Sequence, residues 1–510
     1  MMKKYILPLL VGAAFSMVGC SDFEELNVNP NNPSTVPANL LLPGVISTAV
    51  SSMTGSESGA AGQFVQHLNY LGGNNEGFGR YSITGASFRE EWNGPMRSVK
   101  DINKIISLAE QNSQPHYKAI GLICKVYVLS LMADAYGDIP YVEAGRANEN
   151  GLEFPHFQSQ DEVYGLMLED LETANALIKN VTAGIVVNND ILYNGDLTKW
   201  RKFANSLKLR ILMRESAKKD VASQVAAIFN NSSDYPVFTS LADQTTLVYN
   251  NTVDFYTWYI QPKNLPSDGS GVIFGDNSRV GEALADSLKS KKDPRLTVFL
   301  APTKNSFTAH KLSESSPLVY RGQPVGLSTT EQALLNKDDY SVVGSAIRSE
   351  NRAFVMSYAE LLLLKSEAIV RKMIQGDAAA EYKKALDASL SKWSQISTTD
   401  KTTFLGGNAA SLSASTSVAL MQIGTQAWID SFLNGFEAFA NWRRTGYPQL
   451  YVGPSVASAI PVRYIYSDNE QNNPNLIEWT TQKYGRMVNE SDLVWFQPQV
   501  WSTPSKNTIN

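Results

Sequence analysis

The chain has 510 residues, with 44 Lys and Arg against 49 Asp and Glu, and its formal net charge at pH 7 is −5. This nearly neutral balance does not favour nucleic acid or an anionic membrane surface as a partner. Two cysteines and four widely spaced histidines offer neither a disulfide framework nor a metal-ligand pattern, so we expect no metal and no cofactor.

The first 19 residues predict a secretory signal peptide. Two lysines precede an apolar run that ends just before Gly19 and Cys20. The run is shorter than the roughly 20 residues that a membrane-spanning helix needs. The richest later apolar run, residues 354–370, is interrupted by three charged side chains. We therefore expect residues 1–19 to be removed and the mature chain to have no transmembrane helix.

The residues Met-Val-Gly-Cys that end at Cys20 resemble the lipidation motif of bacterial lipoproteins, in which the cysteine becomes the acylated N-terminus. Acyl chains tether a protein because each buried methylene contributes about 0.8 kcal/mol. Residues 20–37 would then be the acylated N-terminus and an Asn/Pro-rich spacer. The acidic residues after Cys20 resemble a surface-export signal of some Gram-negative lipoproteins. An unrelated cysteine behind an ordinary signal peptide is the alternative.

Apolar side chains at helical spacing predict a series of paired helices. Residues 115–136 begin with a proline, which is favourable at a first helical position, and they are apolar on two faces, as in a stacked helical array. Asp196 is placed to cap a later helix. Pairs of this length suggest degenerate tetratricopeptide-type units, although no strict 34-residue repeat is visible. The other predicted helices span 98–111, 160–179, 197–216, 353–374, 377–391, 417–433 and 436–445.

Long segments rich in turn residues separate these helices. Their aromatic content is too high for disorder, and long irregular loops on a packed scaffold commonly carry function. They span residues 70–85, 249–279, 301–332 and 461–479.

Features that could indicate catalysis do not combine into a catalytic site. The glycines of residues 72–79 lack the Gly-Lys-Ser/Thr of a phosphate-binding loop, and no Gly-x-Ser-x-Gly motif occurs. Glu90 and Glu91 are adjacent and point apart, whereas the two carboxylates of a glycosidase face each other across a cleft, about 5–9.5 Å apart. We therefore predict no catalytic residue.

Three further features have plain structural interpretations. The basic residues between 199 and 214 are expected to form a solvated or ion-paired helix face. Arg443 and Arg444 are expected to fix the last helix to a neighbouring loop rather than to bind phosphate. Cys124 falls within an apolar helical pattern and is expected to be an inert core residue.

Seven segments, in order, resemble the SusD/RagB-like nutrient-binding outer-membrane lipoproteins, in the SusD-like branch. Two departures are Ser467, where the family often has proline, and the poorly matching residues 249–330. The matching segments are NVNPNNPSTVPANLLLPGVIST (27–48), ADAYGDIPYVEA (133–144), YNGDLTKWRKFANSLKLRILMR (193–214), KKDPRL (291–296), SYAELLLLKSEA (357–368), NWRRTGYPQL (441–450) and VWFQPQVW (494–501).

This resemblance implies a mostly α-helical, SusD-like fold with four degenerate tetratricopeptide-type helix pairs and long loop insertions, in a single domain over residues 38–510. It implies a TonB-dependent, SusC-like β-barrel transporter as partner, on whose outer mouth the protein acts as a hinged lid. The ligand delivered would be an oligosaccharide or, as in some members, a peptide. The expected location is the outer membrane, lipid-anchored and facing the exterior.

Sugars present apolar C–H faces and a rim of hydroxyls, so a sugar site needs aromatic platforms edged by amides, carboxylates or guanidinium groups. In the family, loops at two chain positions converge on the ligand. Trp92, just before a predicted helix, could instead anchor its loop to the core, and Trp258 is the leading single candidate. The predicted ligand-binding residues are Asn74, Asn75, Arg80, Tyr81, Trp92, Tyr256, Trp258 and Tyr259.

Binding without chemistry is the leading hypothesis. One alternative is a lipid-anchored secreted glycoside hydrolase, and another is a structural lid with negligible affinity for any ligand. The sequence leaves open the identity of the ligand, the loops that contact the transporter and any structural calcium.

Overall fold

The structure is a computed structural model, and it is mostly helical. Two small antiparallel sheets of two strands each accompany the helices in the described part of the chain. The described residues are 36–70, 76–147, 152–182, 184–249, 277–348, 350–453, 459–499, 501 and 504.

The elements are numbered here in chain order. The helices of the first half are α1 (Ala38–Thr54), α2 (Ala60–Phe64), α3 (Glu76–Gly79), α4 (Arg89–Gln111), α5 (Pro115–Tyr136), α6 (Gln160–Lys179), α7 (Leu197–Glu215) and α8 (Ala222–Asn230). Those of the second half are α9 (Glu282–Ser290), α10 (Leu296–Phe299), α11 (Lys304–Leu312), α12 (Thr329–Leu334), α13 (Ser345–Arg348), α14 (Tyr358–Val370), α15 (Ala378–Ser391), α16 (Thr398–Gly406), α17 (Thr416–Asp430), α18 (Gly435–Thr445) and α19 (Pro474–Tyr484). The strands are β1 (Leu68–Tyr70), β2 (Thr245–Val248), β3 (Ser278–Val280) and β4 (Arg352–Met356).

Consecutive helices pack on one another to form the frame. Helix α1 lies on α4 and α5, α5 on α6, and α6 on α7, while α14 lies on α15 and α17. These contacts confirm the mostly helical fold class, and the tetratricopeptide-type pairing within it stays a prediction.

Helix α5 is the centre of this frame and is buried around almost its whole circumference. In the described part of the chain it is the one helix long and apolar enough to cross a membrane, and 94% of its apolar window is buried inside the protein. The sequence prediction that residues 354–370 are the richest apolar run was therefore wrong. Cys124 lies on α5 as predicted, and burial raises the pKa of its thiol.

Several predicted boundaries are confirmed by local chemistry. Helices α5 and α6 begin and end at the predicted residues. The Asp196 side chain accepts hydrogen bonds from the backbone N–H groups of Thr198 and Lys199, and so caps α7 as predicted.

Several predicted boundaries were wrong. Helix α4 begins at Arg89 rather than at residue 98, and it continues through the Gly-Pro step at residues 94 and 95. The predicted helix over 353–374 is split into strand β4, which pairs with β2, and helix α14, which begins after the capping hydroxyl of Ser357. The predicted irregular segment 301–332 contains α11 and the start of α12, each with a side-chain cap at its N-terminus.

A buried charge cluster joins α5, α7, α14 and α18. Arg210 donates through Nε and Nη2 to the two carboxylate oxygens of Glu360 at 2.7 and 2.8 Å. Arg214 lies 3.1 Å from Asp134 and 2.7 Å from Glu437, and Glu437 also lies 3.3 Å from Arg210. Burial alone would lower the pKa of Arg210, but Glu360 and Glu437 hold it above its ordinary value.

The prediction that the basic face of α7 is solvated or ion-paired is confirmed in its ion-paired form for Arg210 and Arg214, which are both buried. Arg443 fixes α18 to a neighbouring loop as predicted, because its guanidinium donates to the backbone oxygen of Val462. The same prediction was wrong for Arg444, which instead makes a two-pronged contact of 2.6 and 2.8 Å with Glu367 of helix α14. Helix α18 is also not the last helix, because α19 follows it.

We expect the variant Arg210→Met to lower the free energy of unfolding by about 3–5 kcal/mol, because it leaves buried carboxylates without their cation. Urea denaturation followed by circular dichroism measures the loss. The matched control is Lys179→Met, which removes an ion pair with Asp234. Both side chains of that pair are about half exposed, so the Asp234 carboxylate stays hydrated and the loss of stability should be small. Equal losses for the two variants would contradict a structural role for the cluster.

Candidate functional site

The described bases of the two predicted ligand-binding loops are adjacent. Strands β1 and β3 pair antiparallel, with Leu68 opposite Val280 and Tyr70 opposite Ser278. The chain therefore leaves β1 and enters β3 at the same end of this ladder. The predicted residues Asn74, Asn75, Tyr256, Trp258 and Tyr259 follow or precede these strands and lie outside the described residues.

The two predicted residues that follow α3, Arg80 and Tyr81, lie in different environments. Arg80 is partly exposed and donates from Nη1 to the Thr329 hydroxyl at 2.9 Å. The Tyr81 ring is buried, 6.1 Å from the Phe64 ring in an edge-to-face arrangement. Its hydroxyl accepts from Gln66 Nε2 at 3.3 Å, and burial raises its pKa. Arg80 thus lies at the surface and contacts Thr329, whereas Tyr81 holds the loop on the core.

Trp92 lies inside α4 rather than before it, and its side chain is only 3% exposed. The indole packs edge-to-face on Tyr136 at 4.9 Å and parallel to Phe157 at 6.2 Å, and its N–H donates to Glu470 at 3.0 Å. One edge lines a cavity of about 340 Å³ together with Arg97. A stacking contact between Trp92 and a ligand stays a prediction, and it would require the ring to leave this packing.

A cavity of about 430 Å³ lies beside the β1–β3 ladder, at the end opposite the two loops. A ladder of three residues spans about 10 Å, so the cavity and the loop bases are close. The most accessible aromatic side chain of its lining is Tyr451, which is 42% exposed. The lining residues are Gln66, Glu282, Ala283, Asp286, Ser287, Ser290, Lys291, Pro324, Val325, Leu327, Pro448, Gln449, Tyr451, Val452 and Gly453.

Close backbone contacts bring the walls of this cavity together. Gln66 Nε2 donates to the backbone oxygen of Tyr451 at 2.5 Å, and the same side chain reaches Tyr81. A Cβ atom at Gly453 would lie 2.0 Å from the backbone oxygen of Val325, so only glycine permits this approach. The Gly326 N–H donates to the backbone oxygen of residue 79, which joins the loop bearing Arg80 to the same wall.

The cavity offers the mixture of groups that a polyhydroxylated ligand requires. Carboxylates of Glu282 and Asp286 and the amide groups of Gln66 and Gln449 can accept or donate hydrogen bonds to hydroxyls. The Tyr451 ring offers an apolar face. Burial lowers the pKa of Lys291, the one cation of this lining.

The two described carboxylates of the cavity lie on one helix. Glu282 and Asp286 are four residues apart on α9 and therefore project from one helix face. A glycosidase instead places its two carboxyl groups on either side of the bond that it cuts.

The cavity residues were not predicted from the sequence. Any two of Gln66, Glu282 and Tyr451 are about 170 residues or more apart along the chain. They line one cavity because backbone contacts bring their distant segments together. One sequence feature could have indicated the cavity. The segment NWRRTGYPQL ends one residue before Tyr451, but it was interpreted only as a family motif.

Residues 30–467 match the family described as "Starch-binding associating with outer membrane", in its SusD-like form. The chain belongs to this family, which confirms the resemblance predicted from its seven segments. A search of curated protein sequences gives no match.

Solved structures of related proteins share the fold over almost their whole length. A Bacteroides vulgatus protein, with a proposed role in nutrient binding at the outer membrane, is 26% identical, with a TM-score of 0.76 over 91% of this chain and 100% of its own. A chitin-binding protein is 26% identical, with a TM-score of 0.74 over 90% of this chain and 99% of its own. A SusD homologue from Bacteroides fragilis, 24% identical, has a TM-score of 0.74 over 91% of this chain and 100% of its own, and shows the common fold.

We expect Trp92→Ala to lower the free energy of unfolding by about 3–5 kcal/mol, because it removes a large buried ring from the core. The matched variant Tyr451→Ala truncates a half-exposed ring and should cost less than about 1 kcal/mol. Thermal and urea unfolding of both variants provide the comparison. A stable Trp92→Ala protein would show that the ring does not support the core.

Proposed function

We propose that the protein is a cell-surface lipoprotein that binds an oligosaccharide and delivers it to a TonB-dependent, SusC-like β-barrel transporter, for which it acts as a hinged lid. The observation that carries the binding role is the cavity of about 430 Å³ with Tyr451 exposed at its lining. Its volume lies within the range of small-molecule sites in proteins.

A glycan is favoured over a peptide by the chemistry of the cavity. Hydroxyl, amide and carboxylate groups dominate its polar lining, and one accessible aromatic ring supplies a face for stacking against sugar C–H groups. The family description names starch, and one structural relative is a chitin-binding protein. Both polymers are built from neutral sugars, and the near-neutral charge of this chain suits such a ligand.

The outer-membrane and transporter parts of the proposal rest on other observations. The family associates with the outer membrane. Acylation at Cys20 would hold the chain there through the spacer of residues 20–37. A large ligand captured outside the cell requires an energised pore to enter, and the barrel transporter implied by the family resemblance would provide it.

The protein is proposed to bind its ligand and not to cut it. The two carboxylates of the cavity, Glu282 and Asp286, project from one helix face, which does not suit a hydrolytic pair. Of the relatives named above, one is a chitin-binding protein and another has a proposed role in nutrient binding.

Truncation of the exposed ring tests the binding site. We expect Tyr451→Ala to weaken the affinity for neutral oligosaccharides about tenfold, or about 1.4 kcal/mol, because the stacking face is lost. Isothermal titration with maltooligosaccharides, chitooligosaccharides and a peptide mixture measures the change. The matched control, Phe154→Ala, removes a similarly exposed ring that does not line the cavity, and should leave the affinity unchanged.

Equal affinity for the ligand in wild-type protein and Tyr451→Ala would move the site away from this cavity. A titration in which only peptides bind would contradict the glycan proposal.

A reducing-end assay tests the absence of hydrolysis. We expect the purified protein, incubated with starch and with chitin, to release no new reducing ends above the buffer control, because the carboxylates that the structure describes in the cavity project from one helix face. An amylase and a chitinase serve as positive controls. Sustained release that is abolished by Glu282→Gln would overturn the binding-only function in favour of a glycoside hydrolase.

A further inference from the structure

Four aliphatic side chains are exposed near the N-terminal end of the described chain. They belong to the first turn of α1 and to the loop that precedes α7. We name these four residues the N-terminal apolar patch: Leu40, 60% exposed, Ile185, 43%, Val186, 69%, and Ile191, 38%.

Direct contacts place the loop against the start of α1. The Asn189 side chain donates to the backbone oxygen of Asn39 at 3.0 Å, next to Leu40. A Cβ atom at Gly195 would lie 2.8 Å from the backbone oxygen of Val187. Residues 187–195 therefore form a closed turn directly after Val186. The patch is therefore formed by two neighbouring segments rather than by scattered side chains.

The turn is held in shape by one buried carboxylate. Asp190 accepts hydrogen bonds from the backbone N–H groups of Leu192, Tyr193 and Gly195 and from the indole N–H of Trp200, at 2.8–3.2 Å. Its charge is directed inward and is balanced by four donors, so it does not oppose an apolar contact outside. The exposed aliphatic side chains are presented on a fixed surface.

One charged residue, the buried Asp190, lies within the segments that carry the patch. Residues 38–54 and residues 180–189 contain no Asp, Glu, Lys or Arg. Exposed apolar side chains on an uncharged surface commonly mark a contact with a protein or a membrane. These two segments supply no cation for anionic headgroups, so a lipid contact made by them would depend on apolar burial.

The position of the tether indicates which contact this is. The described chain begins at residue 36, four residues before Leu40, and Cys20 lies 16 residues earlier. Fully extended, 16 residues span at most about 58 Å. If Cys20 is acylated, the patch is held within this distance of the lipid at a high effective concentration, so even a weak apolar contact would be populated.

We propose that the N-terminal apolar patch rests on the lipid surface in which the acylated N-terminus is anchored. This orients the domain, because the contact and the tether together fix two points of the protein relative to the membrane. The inference rests on the lipid anchoring stated in the proposed function and not on the glycan site.

The test uses the full acylated chain in phosphatidylcholine vesicles. Val186→Cys carries a nitrobenzoxadiazole fluorophore, and Leu312→Cys, an exposed leucine on α11, carries the same label as the matched control. Cys124 is buried and Cys20 is occupied by lipid, so the introduced thiol is the reactive one. We expect brominated lipid to quench the label at 186 at least twofold more than at 312. The difference should persist between about 0.1 and 1 M salt, because the contact is apolar.

Equal quenching at the two positions, or none at either, overturns the inference. So does a label at 186 that becomes protected only when the barrel transporter is added, since the patch would then be a protein interface. A second variant, Val186→Ser with Ile185→Ser, should reduce quenching of a label at Leu40→Cys while leaving glycan affinity unchanged.

The two proposals fail in different ways. An intact mass without acyl chains contradicts the anchoring on which both depend. An acylated chain that binds glycan but shows no quenching contradicts this inference alone, and an acylated chain that is quenched but binds no glycan contradicts only the glycan function.

Discussion

The buried contacts of Arg210 and Arg214 with Asp134, Glu360 and Glu437 are the constraint on which the frame depends. Moving a guanidinium out of water costs several kcal/mol, and that cost is offset only when every partner stands within hydrogen-bonding distance. Apolar helix faces tolerate small displacements, whereas these charges do not. The cluster therefore sets how four helices, brought together from positions 134 to 437, lie against one another.

A frame fixed in this way can hold its surface segments close enough to form a site. The wall at Val325 approaches Gly453 so closely that no side chain fits between them, and Gln66 links Tyr451 to Tyr81. None of these segments is a long helix or strand. Their positions are set by backbone contacts to the frame, which is why a cavity persists among irregular loops.

The frame also encloses two of the aromatic residues that were predicted to bind the ligand. Trp92 and Tyr81 have the composition of a sugar site around them, but both rings are surrounded by other rings and their polar atoms are already hydrogen-bonded. Tyr451 has no such enclosure. The same frame leaves Leu40 and Val186 exposed, and neither residue lines the cavity that contains Tyr451.

The sequence by itself determined the features that depend on neighbours along the chain: the helices with regular apolar spacing, the Asp196 cap and the family motifs. Helices and caps arise from contacts between residues that are close in sequence, and family motifs are recognised from the order of segments along the chain. Where a long-range contact competed, the prediction was wrong, as at residues 353–356, which pair with β2 instead of continuing a helix. Only the tertiary structure decided whether an aromatic ring is buried in the core or exposed at the surface. Only the tertiary structure showed that Gln66, Glu282 and Tyr451 share a cavity. The physical reason is that burial depends on which distant segments pack over a side chain, and a local sequence pattern does not contain that information.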